Sequence, residues 1–279
     1  NEIWLRGGRC WLRAMLSQWS GEERLHANVL TPVLISGKQG LSKSTFCRLL
    51  MPDSLRHYFI DNLNLAAGSS PEKKLVKNGL INLDEFDKIK ESQQATLKNL
   101  LQMVNVPVFR GKRLGWVNES RLASFIATTN VYQVLIDSTG SRRFLCVEVL
   151  KPISEEPLEH KQIYAQLKEE LKSGAPDYLN KEEEKALQKH NKAYYRQSLL
   201  EDVFHCCFRH PLETEKGIWL TTAEIFQVMR KFNSAALKEV SARQLGLKLS
   251  AMGYMAKHTS FGNRYYVFNL SAEKKDASL

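Results

Sequence analysis

Short apolar runs recur along the first half of the chain, separated mostly by stretches long enough to form a helix. Each run has four to six residues rich in Ile, Val, Leu and Phe, and the runs cover residues 32–36, 57–61, 80–83, 124–128 and 144–149. Such runs are typical of parallel strands that are buried on both faces of a sheet, with helices as crossovers. Residues 4–19 place Trp, Leu and Met at helical spacing, which predicts an amphipathic opening helix. The pattern therefore predicts an α/β fold with a parallel sheet as its core.

The second half of the chain has a different pattern. Residues 151–195 are rich in Glu and Lys and are punctuated by prolines, which predicts exposed helices, one of them capped by Asn180. A further helix is predicted over 199–208, and capping boxes at Thr221 and Ser241 predict two more, followed by a hairpin over 254–268. The predicted division is an N-terminal helical segment (1–30), a core (31–150), a helical connector (151–195), a C-terminal domain (196–270) and a tail (271–279).

The first apolar run leads directly into a glycine-containing turn, Gly37-Lys-Gln-Gly40-Leu-Ser42-Lys43-Ser44-Thr45. Strand, glycine turn and Lys-Ser at a helix start follow the order of a P-loop, whose backbone N–H groups surround nucleotide phosphates. In that interpretation Lys43 supplies positive charge and the Ser44 hydroxyl binds Mg²⁺. Ser42 stands where a glycine is expected, and its Cβ is predicted to crowd the loop and reduce nucleotide affinity or turnover. The alternative is an ordinary glycine turn before a helix.

Polar groups also stand at the ends of later strands. Asp84 and Glu85 follow the run at 80–83, where Asp84 would hold Mg²⁺, directly or through water, and Glu85 would act as general base. Asn130 follows the run at 124–128 and could orient the attacking water. Arg142 and Arg143 precede the run at 144–149 and could neutralise transition-state charge as an arginine finger does. Each of these features alone is also an ordinary turn.

The set as a whole resembles the virulence-associated protein E family of bacterial mobile elements and phages. It is also similar to superfamily 3 helicases, which have an AAA+-like core, and to phage-type primase-helicases. The resemblance covers roughly residues 30–150, and its most specific stretch runs from Asp137 to Phe144. It implies an ATPase in which Lys43, Ser44, Asp84, Glu85 and Asn130 act on Mg²⁺-ATP, and in which Arg142 or Arg143 is the finger. Whether that arginine acts within its own subunit or across an interface stays open. A ring-shaped homo-oligomer, a hexamer in related proteins, is implied by the resemblance alone.

Two segments are predicted to contact DNA. Residues 106–117 read as a hairpin with a basic tip of Arg110, Lys112 and Arg113, and in the resembling families a hairpin here touches DNA. The C-terminal helices and hairpin resemble a winged helix, with the recognition helix at 241–252 and the wing at 257–265. Its candidate contacts are Arg243, Lys248, Lys257 and Arg264. The alternatives are a solvated loop for the hairpin, and packing or assembly for the winged-helix module.

Composition adds a compartment and a class of partner. The 279 residues carry 40 Lys+Arg against 30 Asp+Glu, a net charge of +10 that suggests a polyanionic partner. Residues 1–150 hold a net +7, residues 151–200 none and residues 201–279 a net +3. The five cysteines contain no C-x-x-C pair, which favours a reduced cytoplasmic setting, and no apolar run approaches the length of a membrane span. The chain begins at Asn1 with neither Met nor a signal pattern, which suggests a fragment of a longer protein.

The sequence therefore predicts a helicase-type ATPase that uses Mg²⁺-ATP to move on or remodel DNA, single-stranded or forked, of a mobile element or phage. Two rivals remain. One is a non-hydrolysing DNA-binding initiator or regulator that retains the fold, which Ser42 motivates. The other is a nucleotide-gated switch or defence ATPase that never translocates.

Overall fold

A five-stranded parallel sheet forms the centre of the N-terminal unit in the computed structural model. The structure describes residues 2–21, 26–66, 68–136, 141–196, 199–212, 214–238, 240–260 and 262–270. They divide into two units, Asn1–Arg196 and Gln197–Leu279. The elements of the N-terminal unit are, in chain order, α1 (Glu2–Trp19), β1 (Thr31–Ile35), α2 (Lys43–Leu49), β2 (Phe59–Asp61), α3 (Glu72–Leu75), β3 (Leu80–Leu83), α4 (Glu91–Gln102), β4 (Asn105–Phe109), β5 (Trp116–Ser120), β6 (Ser124–Thr129), β7 (Phe144–Glu148), α5 (His160–Lys172) and α6 (Lys181–Asn191).

The sheet has the strand order β2-β3-β6-β1-β7. Ile35 at the end of β1 pairs with Thr129 at the end of β6 and with Glu148 at the end of β7. Because all the strands are parallel, their carboxyl ends lie at one edge of the sheet. The predicted strands are confirmed with one change, since residues 53–58 form a short 3₁₀ helix and only Phe59–Asp61 of the second run is strand.

Both faces of this sheet are covered, which explains why its strands are continuous apolar runs. Alternate residues of one strand enter two different clusters. Val33 and Ile35 of β1 pack on one face with Leu97 and Leu101 of α4, whereas Leu34 packs on the other face with Trp11 and Met15 of α1. The amphipathic opening helix is thus part of the core.

The sequence predicts a helical connector over residues 151–195. In the structure these residues belong to the N-terminal unit. The Tyr164 hydroxyl of α5 donates to the Leu50 carbonyl at 2.7 Å, and Leu167 and Leu187 are buried. Asn191 donates to the carbonyls of Ser141 and Phe144, at 2.8 Å each. The few buried residues of these helices stand among many exposed charges, which is why the sequence pattern favours a connector.

One ion pair between α1 and α5 gives the N-terminal unit an acid-sensitive contact. Arg13 is 5% exposed and donates to Glu170 at 2.9 Å, and Arg9 also contacts this carboxylate. Burial by itself would raise the pKa of Glu170, but hydrogen bonds from Arg9, Arg13 and Gln166 outweigh it and lower the pKa from 4.5 to about 2. A carboxyl group with a depressed pKa stabilises the fold above its unfolded pKa and loses that contribution as the pH falls through its folded pKa.

We therefore expect the free energy of unfolding to fall as the pH drops from 4.5 to about 2, and to fall less steeply in Glu170→Gln. Urea denaturation across this pH window measures the difference. Glu169→Gln is the matched control, because the side chain of Glu169 is 70% exposed and its pair with Lys172 contributes little. Equal pH dependence in the wild type and Glu170→Gln would contradict this role.

The C-terminal unit contains α7 (Leu199–Cys207), β8 (Phe208–Arg209), β9 (Ile218–Thr221), α8 (Thr222–Phe232), α9 (Ala242–Ala251), β10 (Ala256–Thr259) and β11 (Gly262–Asn269). β11 pairs antiparallel with β8, β9 and β10. Capping boxes at Thr221 and Ser241 begin α8 and α9, as predicted. Strand β9 is an addition that the sequence pattern did not indicate. The predicted tail, 271–279, lies outside the described residues. Among those that are described, no helix has both the length and the apolar character needed to cross a membrane.

Candidate functional site

The loop of residues 36–42, called here the glycine loop, connects the carboxyl end of β1 to α2. Gly40 has a φ of +78°, a conformation that favours glycine. Gly37 lies against the ring of Tyr132, and a Cβ at Gly37 would come within 2.9 Å of that ring. The Tyr132 hydroxyl donates to Glu148 at 2.8 Å. The loop is therefore shaped by two glycines and is contacted by an aromatic ring from the segment after β6.

Ser42 occupies a conformation that a side chain rarely adopts. Its φ of 58° and ψ of 26° lie in the left-handed region, and its hydroxyl donates to Glu155 at 2.6 Å. Glu155 belongs to the segment after β7, where the Ile153 N–H also donates to the Leu41 carbonyl at 3.2 Å. The position predicted to require glycine thus has a glycine-like backbone conformation, and the serine side chain contacts this neighbouring segment.

Replacing Ser42 by glycine or by alanine separates the backbone effect from the hydroxyl, since both variants lack the hydroxyl. We expect Ser42→Gly to be more stable than Ser42→Ala by about 1 kcal/mol, because only glycine adopts a left-handed φ without strain. Denaturant unfolding of the two variants measures this difference. Equal stability would show that the backbone at residue 42 relaxes out of the left-handed region.

Lys43 places a buried ammonium group behind the glycine loop. It is 8% exposed, and its Nζ donates to the Ser36 hydroxyl and, at 2.9 Å, to Oδ1 of Asn130. Burial lowers the pKa of Lys43, and the charge of Asp84 opposes that shift. The first residue of α2 and the amide after β6, 87 positions apart, are therefore in direct contact.

Asp84 lies beside the same group at the end of β3. Its Oδ1 accepts from Ser44, at 3.3 Å, and from Thr128. A carboxylate and a hydroxyl are oxygen donors of the kind that Mg²⁺ prefers, so Ser44 and Asp84 fit the predicted metal site. Thr45, on the first turn of α2, is exposed. The predicted nucleotide residues Lys43, Ser44, Asp84 and Asn130 thus lie together at the carboxyl edge of three neighbouring strands.

Glu85, the predicted general base, stands at a strained turn. Its φ is 52°, and its carboxylate is paired with Lys88 at 2.6 Å. A non-glycine residue in the left-handed region is uncommon and occurs more often at functional sites. Beside it, Asp87 accepts from the Thr129 hydroxyl at 2.6 Å, and that hydroxyl in turn accepts from the Val131 N–H. Asp87 therefore holds the turn that carries Asn130.

Arg142 and Arg143 lie at the opposite edge of the sheet from the glycine loop. They precede Phe144, which pairs with Thr31 at the start of β1, whereas the loop follows Ile35 at its end. The strand between is about 13 Å long at roughly 3.3 Å per residue. Arg142 pairs with Glu184 of α6 at 3.3 Å. The backbone of both arginines therefore lies about one strand length from the glycine loop. Asp137–Gly140, the first half of this motif, lies outside the described residues.

β4 and β5 form the predicted antiparallel hairpin, with residues 110–115 at its tip. Arg110 does not present a free charge there, because it makes a bidentate pair with Glu119 of the returning strand. Lys112 and Arg113 are exposed. The hairpin therefore offers two of the three predicted cations.

The predicted DNA contacts of the C-terminal unit also differ in their surroundings. Lys248, predicted to contact DNA, forms an ion pair with Glu201 of α7 at 2.6 Å, so its charge is neutralised within the C-terminal unit. Lys257 lies over the ring of Trp219 at 4.4 Å and is paired in register with Arg264 across the hairpin. Arg243 is exposed near the start of α9. Three of these four cations thus remain as candidates.

Several residues of the site were missed by the sequence reasoning. Ser36 and Thr128 hold Lys43 and Asp84, and Tyr132 contacts the glycine loop. A hydroxyl or an aromatic ring at a strand end is too common a feature to be recognised alone. Only the parallel pairing of β1, β3 and β6 brings these side chains to one edge.

Comparison with protein families gives two matches that meet near the division between the units. A family described as a virulence-associated protein E-like domain matches residues 27–196, more than half of the chain. A family described as a domain of unknown function from B. Theta matches residues 197–267. No curated protein sequence matches the chain significantly.

Among solved structures, the apo structure of the NrS-1 C-terminal region matches with a TM-score of 0.41 and 13% identity, over 94% of this chain and 70% of that one. Its A form apo structure gives a TM-score of 0.42 and 14% identity, over 95% and 71%.

Proposed function

The chain belongs to the virulence-associated protein E-like family, and from that premise we propose that it is a P-loop ATPase of the AAA+/superfamily 3 helicase type. It would hydrolyse Mg²⁺-ATP to move on or remodel DNA during replication or excision of a mobile element or phage. The observation that supports this most is the convergence of Lys43, Ser44, Asp84 and Asn130 at one edge of the sheet. These are the groups that phosphate charge, a metal ion and an attacking water would require.

Each residue has a role that follows from its surroundings. Lys43 donates to neutral oxygens of Ser36 and Asn130 in this structure, and would donate instead to oxygens of the β- and γ-phosphates when nucleotide binds. Ser44 and Asp84 would hold Mg²⁺, which neutralises charge on the phosphate oxygens when it is bound. Asn130 would orient the attacking water. Glu85 would accept a proton from that water after its carboxylate separates from Lys88. The backbone of residues 37–42 would surround the phosphates.

The position of Arg142 and Arg143 favours an arginine finger that acts across an interface. Because both lie at the amino edge of the sheet, they would reach the nucleotide of a neighbouring subunit and not their own. An active site of this kind is complete only in an oligomer. A homo-oligomeric ring, a hexamer by resemblance to superfamily 3 helicases, would satisfy that requirement.

DNA would be contacted by both units. Lys112 and Arg113 on the hairpin and Arg243, Lys257 and Arg264 on a winged-helix-like C-terminal unit would bind backbone phosphates, an interaction that salt weakens. Arg110 and Lys248 are not among the proposed DNA contacts, because each is paired with a glutamate of its own unit.

Two assays separate this function from its rivals. We expect ATP hydrolysis that single-stranded DNA stimulates, and ATP-dependent strand displacement on a forked duplex. Stimulated hydrolysis without displacement would favour the nucleotide-gated switch. DNA binding without hydrolysis would favour the initiator or regulator, for which the strained Ser42 and the Glu85–Lys88 pair are the supporting observations.

A further inference from the structure

The β4–β5 hairpin exposes two large aromatic rings that its own fold does not cover. Phe109 and Trp116 are directly paired across the strands, with ring centroids 5.6 Å apart. Phe109 is 48% exposed and Trp116 is 73% exposed. An aromatic cross-strand pair stabilises a hairpin, but that role does not require an indole to remain mostly in water.

The alternation along the strands shows which face carries the rings. Val106 and Val108 of β4 are buried, whereas Asn105, Pro107 and Phe109 alternate with them and are exposed. Trp116 lies on the same exposed face because it is paired with Phe109. The hairpin thus packs one face on the core and presents the rings on the other.

The charges next to the rings indicate an anionic partner. Residues 105–120 contain three cations and one acid. Glu119 neutralises Arg110, and the exposed Lys112 and Arg113 stand at the tip beyond the rings. The surface therefore combines stacking area with positive charge, as proteins that bind single-stranded nucleic acid do.

We propose that Trp116 and Phe109 form a stacking platform for unpaired bases of single-stranded DNA, with Lys112 and Arg113 on the flanking phosphates. This inference rests on the proposed function, and it adds base stacking to the phosphate contacts already assigned to the hairpin. Duplex DNA does not fit the platform, because its base faces are covered by neighbouring base pairs. The platform thus selects single-stranded over duplex DNA without reading sequence.

Binding of a fluorescent oligothymidylate, measured by anisotropy at fixed salt and without nucleotide, tests the platform. We expect Trp116→Leu to bind about tenfold more weakly, the loss expected for one stacked base. Trp116→Phe retains a ring and is expected to bind within about twofold of the wild type. Tyr178→Leu is the matched control, because Tyr178 is an exposed aromatic residue (58%) outside the hairpin. The affinity of Tyr178→Leu for the oligonucleotide should equal that of the wild type.

Two further readouts separate stacking from charge and from loss of folding. An abasic oligonucleotide keeps its phosphates but loses stacking on both rings, so the wild type should bind it at least as weakly as Trp116→Leu, which keeps Phe109, binds oligothymidylate. Lys112→Gln and Arg113→Gln should each reduce the salt dependence by about one released ion, whereas Trp116→Leu should leave it unchanged. Quenching of tryptophan emission on binding should occur in the wild type and largely disappear in Trp116→Phe.

Equal affinity of the wild type and Trp116→Leu for oligothymidylate, or of the wild type for abasic and thymidine strands, would overturn the platform. So would a change of oligomeric state in Trp116→Leu, which would assign the rings to contact with a second copy of the chain. Failure of the proposed ATPase is a separate outcome, because these assays contain no nucleotide.

Discussion

Lys43→Ala is expected to lower ATP hydrolysis by about 10²–10³-fold, the loss typical of removing one group that stabilises transition-state charge. Lys43 is buried behind the glycine loop and lies between Ser36 and Asn130. The fold holds this ammonium group next to the loop proposed to surround the phosphates, where it would exchange the oxygens of Ser36 and Asn130 for phosphate oxygens. The same change should also weaken nucleotide binding, because the charge acts on the bound nucleotide as well as on the transition state.

Steady-state phosphate release and binding of a fluorescent ATP analogue measure the two effects of Lys43→Ala. Lys38→Ala is the matched control, since Lys38 belongs to the same loop but is exposed. It should retain most of the activity. Hydrolysis by Lys43→Ala at the wild-type rate, with the variant folded as judged by thermal unfolding, would remove Lys43 from the site.

Arg121→Leu is expected to destabilise the N-terminal unit by about 4 kcal/mol, because several hydrogen bonds to a charged group are lost together. Arg121 is 3% exposed and lies over the ring of Phe125. Its guanidinium donates to the backbone carbonyls of Asn28, Leu100, Leu101, Met103 and Ala123. These carbonyls include the end of α4, where a positive charge also interacts favourably with the helix dipole.

Urea denaturation of the whole chain measures this loss through the transition of the N-terminal unit. Arg56→Leu is a suitable control, because the side chain of Arg56 is 41% exposed and pairs with nearby Asp53, and its loss should change stability by less than about 0.5 kcal/mol. If Arg121→Leu were as stable as Arg56→Leu, water or a neighbouring side chain would have to satisfy these carbonyls.

The central sheet could be predicted because four of its five strands are buried on both faces, so apolar runs mark it. That the motif residues lie close together could be predicted because they stand at strand ends, as Asp84 after β3 and Asn130 after β6 do. Arg121 could not, since an arginine beside a hairpin suggests a surface charge, and only the fold places the ends of α4 and β5 around it. The location of Arg142 and Arg143 likewise depended on strand direction and pairing, which the order of motifs does not give.

The charge pattern was a weaker guide than the apolar pattern. The hairpin and the C-terminal helix were both predicted from basic residues, yet Arg110 and Lys248 each pair with a glutamate of the same unit. Glu119 lies nine residues from Arg110 and Glu201 lies 47 residues from Lys248. A pairing of this kind depends on register and packing, so a count of charges along the chain overstates the cations available to DNA.

Glu85→Gln compared with the wild type, in steady-state ATP hydrolysis with and without single-stranded DNA, tests the proposed ATPase most directly. We expect hydrolysis by the wild type that DNA stimulates, and a loss of about 10²–10⁴-fold in Glu85→Gln, the range for removal of a general base. Nucleotide binding should survive the change, because Lys43, Ser44 and Asp84 are untouched. No hydrolysis by the wild type under either condition, or hydrolysis by Glu85→Gln at the wild-type rate, would contradict it.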